Sequence, residues 1–160
     1  MLFRSLRLLQ RRGLSHRAVI VGDGPERAAL ERQLPQVVFT GFLEGDDLSE
    51  AYASSDIFLF PSETETFGNV TLEAMASGLP CVCADATGSR SLVMHGLSGY
   101  LAKPGNAHEF ADWIATLMGD PELRQRMGAA ARERSLGFSW DDAMARMLGY
   151  DRSLIAETSL

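Results

Sequence analysis

The sequence has few cysteines, no excess of positive charge and no long apolar run. The net charge is −6, from 15 Lys and Arg against 21 Asp and Glu, which does not suggest a nucleic-acid-binding protein. No stretch reaches the roughly 18 apolar residues that a membrane-spanning helix needs. Arginines interrupt every short apolar run near the N-terminus, so we do not expect a secretory signal there.

The two cysteines, Cys81 and Cys83, lie one residue apart in an apolar run. We expect them to point to opposite faces of a strand, where they could not easily form a disulfide or share a metal ion. Two buried thiols in a reducing compartment are then the simplest interpretation, and we expect a cytoplasmic protein.

The N-terminal segment is basic and amphipathic. Residues 1–22 contain five arginines and no carboxylate, and apolar residues recur among them with helical spacing. The apolar positions are Leu2, Phe3, Leu6 and Leu9, and the arginines are Arg4, Arg7, Arg11, Arg12 and Arg17. Such a helix is able to lie on anionic lipid, so peripheral contact with the inner membrane surface stays open. The more ordinary interpretation is a domain helix with a solvated basic face.

Strand-like and helix-like segments alternate along the chain. The predicted strands are residues 18–21, 37–40, 56–60, 80–84 and 99–101. The predicted helices are residues 26–34, 46–54, 69–77, 107–118, 121–136 and 140–148, with Asp46 or Asp47, Asp120 and Ser139 as caps. Solid apolar strands separated by helices indicate parallel βαβ units. We therefore predict one doubly wound α/β domain over residues 1–160, with its functional residues just after the strands.

Residues 61–80 are the most informative segment, because they join a predicted buried strand to a predicted helix. Free amides at the helix start, near Gly68, favour an anion such as a diphosphate. Glu65 and Glu73 lie eight residues apart on either side of this turn. Carboxylates accept paired hydrogen bonds from vicinal hydroxyls, so they suit a ribose or a hexose. A nucleoside diphosphate sugar fits this layout, although a glutamate early in a helix is also a common surface residue.

Two runs in this segment, with others along the chain, resemble one known family. Glu65-Thr66-Phe67-Gly68 and Glu73-Ala74-Met75-Ala76-Ser77-Gly78-Leu79-Pro80 are similar to the paired-glutamate motif of the family 4 retaining glycosyltransferases, which have the GT-B fold. Residues 19–26, 38–42, 56–62 and 96–101 resemble further segments of that family in the same order. The resemblance covers about residues 3–150. It implies the Rossmann-like, nucleotide-sugar-binding half of a GT-B enzyme, without its first strand.

The resemblance implies a role for each matched residue. Glu65 would be catalytic, contacting the hydroxyls of the donor sugar and orienting its anomeric carbon. Glu73 would bind the ribose hydroxyls, and the backbone of residues 68–70 would hold the diphosphate. The backbone around Phe42 and Leu43 would lie beside the nucleobase. The implied donor-binding set is Gly24, Phe42, Leu43, Phe67, Gly68, Asn69, Val70 and Glu73.

The resemblance also implies a donor, an acceptor and the parts that are missing. The donor would be a GDP- or UDP-hexose of the mannose or glucose type, and transfer would need no metal or cofactor. The acceptor, a glycan or a lipid, would be bound by an N-terminal domain that has no counterpart here. The family's Gly-Arg and Lys-Gly ligands of the diphosphate also have no counterpart. Arg90 stands where the family often has an acidic residue, which leaves a donor-site role for it open.

Three hypotheses about function remain open. The first is part of a retaining hexosyltransferase. The second is a nonenzymatic nucleotide-sugar-binding or interaction module partnered by another chain. The third, a GT-B epimerase, is disfavoured by the context of residues 65–68. An acceptor domain encoded immediately before Met1 would decide for the first.

Two geometric expectations follow. Glu65 and Glu73 should face one cleft at the carboxyl edge of the sheet. In the doubly wound order a missing first strand would lie between residues 18–21 and 56–60. Either these two strands pair directly, or a gap leaves their backbone groups unsatisfied.

Overall fold

The computed structural model describes residues 2–64 and 68–138, along which strands and helices alternate. The strands are β1 (Val19–Val21), β2 (Val38–Gly41), β3 (Phe58–Phe60), β4 (Cys81–Ala84) and β5 (Gly99–Ala102). The helices are α1 (Leu2–Arg11), α2 (Arg27–Gln33), α3 (Gly45–Ala53), α4 (Asn69–Ala76), α5 (Thr87–Leu92), α6 (Ala107–Gly119) and α7 (Pro121–Ser135). The predicted α/β class is confirmed. The predicted helix at 140–148, with its cap Ser139, lies outside the described residues.

The described strands form two parallel sheets. β1 pairs with β2, with Val19 opposite Val38. β4 lies between β3 and β5, with Cys81 opposite both Phe58 and Gly99. Among the described residues no ladder joins β1 to β3. Of the two outcomes expected for the sheet centre, direct pairing of β1 with β3 is not found among the described residues.

The basic N-terminal helix α1 is a packed helix of the domain. Leu6 and Leu9 are buried against α6, in a core cluster that also contains Phe110. Arg12 forms an ion pair of 2.7 Å with Asp112 of α6. The apolar face of α1 is therefore used inside the domain, as the ordinary interpretation expected. No helix among the described residues is long and apolar enough to cross a bilayer.

Strand β4 separates two core clusters, and its side chains alternate between them. Val82 and Ala84 belong to the cluster of α1 and α6, whereas Cys81 and Cys83 belong to the cluster of α4 and α7. All four side chains are fully buried. This alternation by two is what a strand requires when both of its faces are covered by helices.

The expectation that the two cysteines point to opposite faces was wrong. Residues two apart in a strand share a face, and Cys81 and Cys83 both lie on the α4–α7 side as free thiols. A hydrogen bond with Cys83, and then burial, raise the pKa of the Cys81 thiol well above its usual range. Both thiols are buried, as expected.

One of the predicted helix caps is found in the structure, and another is not. The carboxylate of Asp120 caps α7 by accepting a hydrogen bond of 2.9 Å from the amide of Leu123, as predicted. The prediction that Asp46 or Asp47 caps α3 was wrong, because the helix begins one residue earlier, after Glu44, with no side-chain cap. The two aspartates lie in the first turn, where their charge favours the helix dipole.

Helix α5 was not predicted, and tertiary contacts explain why it forms. It has only six residues and no side-chain cap. The guanidinium of Arg134 in α7 donates to the carbonyl oxygens of Ser91 and Leu92 at its C-terminal end. Leu92 is also buried in the α4–α7 cluster. Such a short helix is marginal alone, so its order comes from these contacts.

Candidate functional site

The turn between β3 and α4 depends on Gly68. This residue is the N-cap of α4 and has the left-handed backbone φ of 77°. A Cβ at this position would collide with Cδ1 of Leu92 and lie 3.5 Å from the backbone of Gly88 in α5. The backbone of the turn therefore packs directly on α5, and glycine is the residue that fits both the φ angle and the space.

The first turn of α4 presents backbone amides that no intrahelical acceptor satisfies. The first helical hydrogen bond runs from the amide of Leu72 to the carbonyl of Gly68, at 2.8 Å. The amides of Asn69, Val70 and Thr71 precede it, and no side chain among the described residues caps the helix. Asn69 and Val70 are exposed. The positive end of the helix dipole lies here, so this turn suits an anion.

Glu73 lies one turn further into α4, and its carboxylate is held by Tyr52. The Tyr52 hydroxyl is 3.1 Å from Oε2 of Glu73, to which it donates, and 3.4 Å from the carbonyl oxygen of Val70. Tyr52 comes from α3, and its ring lies 6.1 Å from that of Phe58 in β3. The exposed Glu73 carboxylate is thus positioned beside the first turn of α4.

The sequence analysis missed Tyr52. It lies 21 residues before Glu73 in a helix with no motif of its own, and only the packing of α3 beside α4 brings the two together. The only signal in the sequence was the position of this tyrosine shortly before the strand that leads into residues 61–80. A tyrosine at such a position is too common to identify a site residue.

A second group of predicted residues lies after β1 and β2. The amide of Gly22 donates to the carbonyl of Gly41 at 2.7 Å, which brings the turns that follow the two strands together. Gly24 is exposed, and its amide donates to the Asp23 carboxylate at 2.7 Å. Phe42 is 74% exposed, so its ring is open to a planar ligand such as a base. Leu43 beside it is half-buried.

The predicted site residues therefore form two local groups. Gly68, Asn69, Val70 and Glu73 lie together at the start of α4. Gly24, Phe42 and Leu43 lie at the ends of the other sheet. Glu65 and Phe67 lie outside the described residues, so a shared cleft for Glu65 and Glu73 stays a prediction.

Arg90 in α5 is engaged by a neighbouring carboxylate. Its Nε lies 2.6 Å from Oδ1 of Asp85, and its Nη2 donates to the Asp85 carbonyl oxygen at 3.2 Å. The Asp85 carboxylate raises the pKa of Arg90, so the guanidinium stays charged but is locally neutralised. A donor-site role for Arg90 would require this pair to open.

A concavity of about 780 Å³ lies elsewhere on the domain. It is formed by residues of α5 and α7 together with Met94, Leu97 and Phe138. None of the predicted site residues that the structure describes lines it. The candidate site is therefore an open surface at the start of α4 in the described residues, and not this groove.

Comparison with known proteins assigns the family. Residues 1–134 match the family model described as glycosyl transferases group 1. The chain belongs to this family. The parallel strands with flanking helices are those of its GT-B fold, and the resemblance found in the sequence is confirmed.

Two curated glycosyl-transferring proteins are similar to most of this chain. The chain is 44% identical to a GDP-mannose-dependent alpha-mannosyltransferase of Mycobacterium tuberculosis, over 84% of this chain and 35% of that protein. It is 43% identical to the sulfoquinovosyl transferase SQD2 of Arabidopsis thaliana, over 82% of this chain and 27% of that protein. The chain thus spans about a third of the length of these relatives.

A solved structure from Anabaena shares the fold. The Anabaena protein Alr3699/HepE, whose structure was solved in complex with UDP, superposes with a TM-score of 0.77 at 28% identity. The match covers 94% of this chain and 44% of the Anabaena protein.

Proposed function

We propose that this chain is the donor-binding part of an enzyme that transfers a hexose from a nucleoside diphosphate sugar with retention of configuration. The donor would be a GDP- or UDP-hexose of the mannose or glucose type, and the acceptor a glycan or a lipid. The group 1 family and the GDP-mannose-dependent relatives support sugar transfer. The UDP bound to the Anabaena neighbour supports a nucleotide as part of the donor. We expect transfer to need no metal ion or cofactor.

The observation that supports this proposal most is the carboxylate of Glu73 beside the open amides of α4. The amides at residues 69–71 would donate hydrogen bonds to the diphosphate oxygens, whose negative charge the helix dipole favours. The Glu73 carboxylate, oriented by the Tyr52 hydroxyl at 3.1 Å, would accept hydrogen bonds from the ribose hydroxyls. One helix terminus thus offers both contacts that a nucleoside diphosphate needs.

The remaining residues extend the proposed donor site at its two ends. Phe42 and Leu43 would contact the nucleobase, beside the turn that contains Gly24. Glu65 and Phe67 would lie at the sugar end. There the Glu65 carboxylate would bind the hydroxyls of the transferred hexose and hold its anomeric carbon in position for attack.

Donor binding to the 160-residue chain tests the proposal. GDP-mannose and UDP-glucose are titrated calorimetrically into the wild-type chain and into Glu73→Gln and Tyr52→Phe. Glu73→Gln removes a charged acceptor, and we expect about tenfold weaker binding of the preferred donor, since hydrogen bonds to charged groups contribute about 1.5–3 kcal/mol. Tyr52→Phe leaves the carboxylate but removes its anchor, so a smaller loss of about threefold is expected.

The matched control is Glu50→Gln on α3. Glu50 is an exposed glutamate two residues from Tyr52, so its substitution removes the same charge without touching the proposed site. It should bind the donor as the wild type does. Unchanged donor affinity in Glu73→Gln, with an unchanged melting temperature, would contradict the proposal.

A nonenzymatic nucleotide-sugar-binding or interaction module is the second candidate function. Among residues 2–64 and 68–138, β1 and β3 each pair with a strand on one side only, and a free strand edge suits a partner polypeptide. In that case donor binding would show the same dependence on Glu73, but no context would produce sugar transfer.

A further inference from the structure

The guanidinium of Arg134 in α7 is bound to the C-terminal end of α5. Its Nε donates to the carbonyl oxygen of Leu92, and its Nη2 donates to that of Ser91 at 2.9 Å. These carbonyls belong to the last two residues of α5, where a helix has no donors of its own to offer them. Among residues 2–64 and 68–138 no carboxylate forms an ion pair with Arg134. Its charge therefore acts at the negative end of the α5 dipole.

Helix α5 also packs against the turn that begins α4. Cδ1 of Leu92 fills the space where a Cβ of Gly68 would stand, and the backbone of Gly88 lies 3.5 Å from that point. All three residues are buried. With six residues and no side-chain cap, α5 depends on tertiary contacts for its position. The contacts thus connect Arg134 to the end of α5, and α5 to the start of α4.

The start of α4 sets the positions of the amides that we propose as ligands of the diphosphate. Gly68 is the N-cap of α4, and its carbonyl accepts the first helical hydrogen bond, from the amide of Leu72. The amides at residues 69–71 lie between these two points. Several of them must reach one anion together, and hydrogen bonds weaken steeply as distance and angle depart from their optimum. A small shift of this turn would therefore weaken anion binding more than it would weaken the fold.

We propose that Arg134 is a positioning residue for the donor diphosphate. It acts through Leu92 and Gly68 and not by contact with the ligand. Holding α5 against the turn keeps the amides at residues 69–71 in the geometry that the diphosphate requires. The inference rests on the proposed function of these amides, and its test has one readout that needs no ligand.

Three substitutions in α7 separate this role from a general effect of charge. Arg134→Met removes both donors and keeps an unbranched apolar side chain. Arg134→Lys keeps the charge and an ammonium that donates to carbonyls. Arg132→Met is the matched control, because Arg132 is an exposed arginine of the same helix. Circular dichroism establishes that each variant of the 160-residue chain is folded.

The readout without ligand is backbone amide hydrogen exchange followed by NMR. The Leu72 amide, which bonds to Gly68 at 2.8 Å, reports on the start of α4. We expect its exchange to be about threefold faster or more in Arg134→Met, through local opening of the turn. The Leu34 amide, which bonds to Leu30 in α2, reports on a part of the chain that Arg134 does not touch and should change less. Arg132→Met should leave both amides as in the wild type.

The second readout is donor affinity, measured by calorimetric titration of GDP-mannose and UDP-glucose. Arg134→Met should bind the preferred donor about fivefold more weakly or worse, from partial loss of the hydrogen bonds to its charged oxygens. Arg134→Lys should restore affinity to within about twofold of the wild type, because the ammonium again holds the end of α5. Arg132→Met should bind as the wild type does.

A double-mutant cycle tests the path through Leu92. Leu92→Val removes the Cδ1 atom that lies against Gly68 and leaves the carbonyl that Arg134 binds. Leu92→Val should itself weaken donor binding. Combining it with Arg134→Met should weaken binding little beyond the larger single effect, since the two residues act on one turn. Fully additive losses would show independent action and contradict the path.

Three other results would overturn the proposal. The first is an unchanged Leu72 amide in Arg134→Met, whatever the donor does. The second is faster exchange at Leu72 with unchanged donor affinity, while Glu73→Gln weakens binding; the proposed function would then stand, and Arg134 would serve the fold alone. The third is that neither donor binds the wild-type chain, which would remove the proposed function together with this inference, whereas the exchange data would still show whether Arg134 holds the turn.

Discussion

At the residue scale, Gly68 combines a left-handed backbone with a close tertiary contact. Its φ of 77° and its contact with Leu92 both exclude a side chain. We expect Gly68→Ala to lower the free energy of unfolding by about 2–4 kcal/mol, from about 1–2 kcal/mol of left-handed strain together with the cost of overpacking. Urea denaturation monitored by circular dichroism measures this change.

Gly96→Ala is the control that separates backbone strain from overpacking. Gly96 has a similar φ of 79°, but a Cβ there meets nothing within 4 Å. Its substitution should cost only the strain of about 1–2 kcal/mol. Equal destabilisation by Gly68→Ala and Gly96→Ala would show that the contact with α5 adds nothing.

At the element scale, α7 approaches the end of α4 through a second glycine. A Cβ at Gly128 would collide with the carbonyl oxygen of Gly78 and lie 3.5 Å from Cδ of Pro80. Alanine is the better helix former by about 1 kcal/mol, yet the obstacle is backbone, which cannot rotate away. We expect Gly128→Ala to destabilise the protein by about 1–3 kcal/mol in urea denaturation.

The control for this packing prediction is the last residue of α6. A Cβ at Gly119 meets nothing within 4 Å, and the residue has no left-handed φ. Gly119→Ala should therefore leave stability unchanged or raise it by up to about 1 kcal/mol. If Gly128→Ala stabilised the protein in the same way, close packing of α7 on the α4–β4 turn would be refuted.

Also at the element scale, local patterns predicted some features and missed others. The apolar runs at 80–84 and 107–118 correspond to β4 and α6, because periodicity and flanking turn residues are local properties. Helix α5 was missed, because its six residues are ordered by contacts from α7 that lie more than 40 residues away in sequence. The start of α3 was misplaced, since its aspartates favour the dipole without capping it.

At the scale of the whole molecule, the proposed function predicts that transfer depends on polypeptide beyond this chain. Transfer requires donor and acceptor held together, and the acceptor site is not proposed within these residues. We expect no sugar transfer from the 160-residue chain alone. A chimera of the Mycobacterium tuberculosis relative, with its matched region replaced by this chain, should transfer sugar. Steady-state kinetics against donor concentration measures both.

Two substitutions in the chimera distinguish the proposed roles of the glutamates. Glu65→Gln should mainly lower kcat, because that carboxylate would touch the reacting sugar. Glu73→Gln should mainly raise the KM for the donor, because it would touch the distant ribose. Turnover of about 1 per second or more by the isolated chain would contradict the proposed incompleteness. Donor binding without transfer in any chimera would favour the nonenzymatic module.

The sequence by itself determined the α/β class, the order of most elements and the family. Apolar periodicity, glycine turns and ordered motifs are all local features of the sequence. The position of the start of α4 as a candidate anion site also followed from local residues. Only the tertiary structure decided that Tyr52 holds Glu73 and that the described strands form two separate sheets. These features depend on which elements pack side by side. Packing is decided by buried area and hydrogen bonds between residues far apart in sequence, which no local pattern contains.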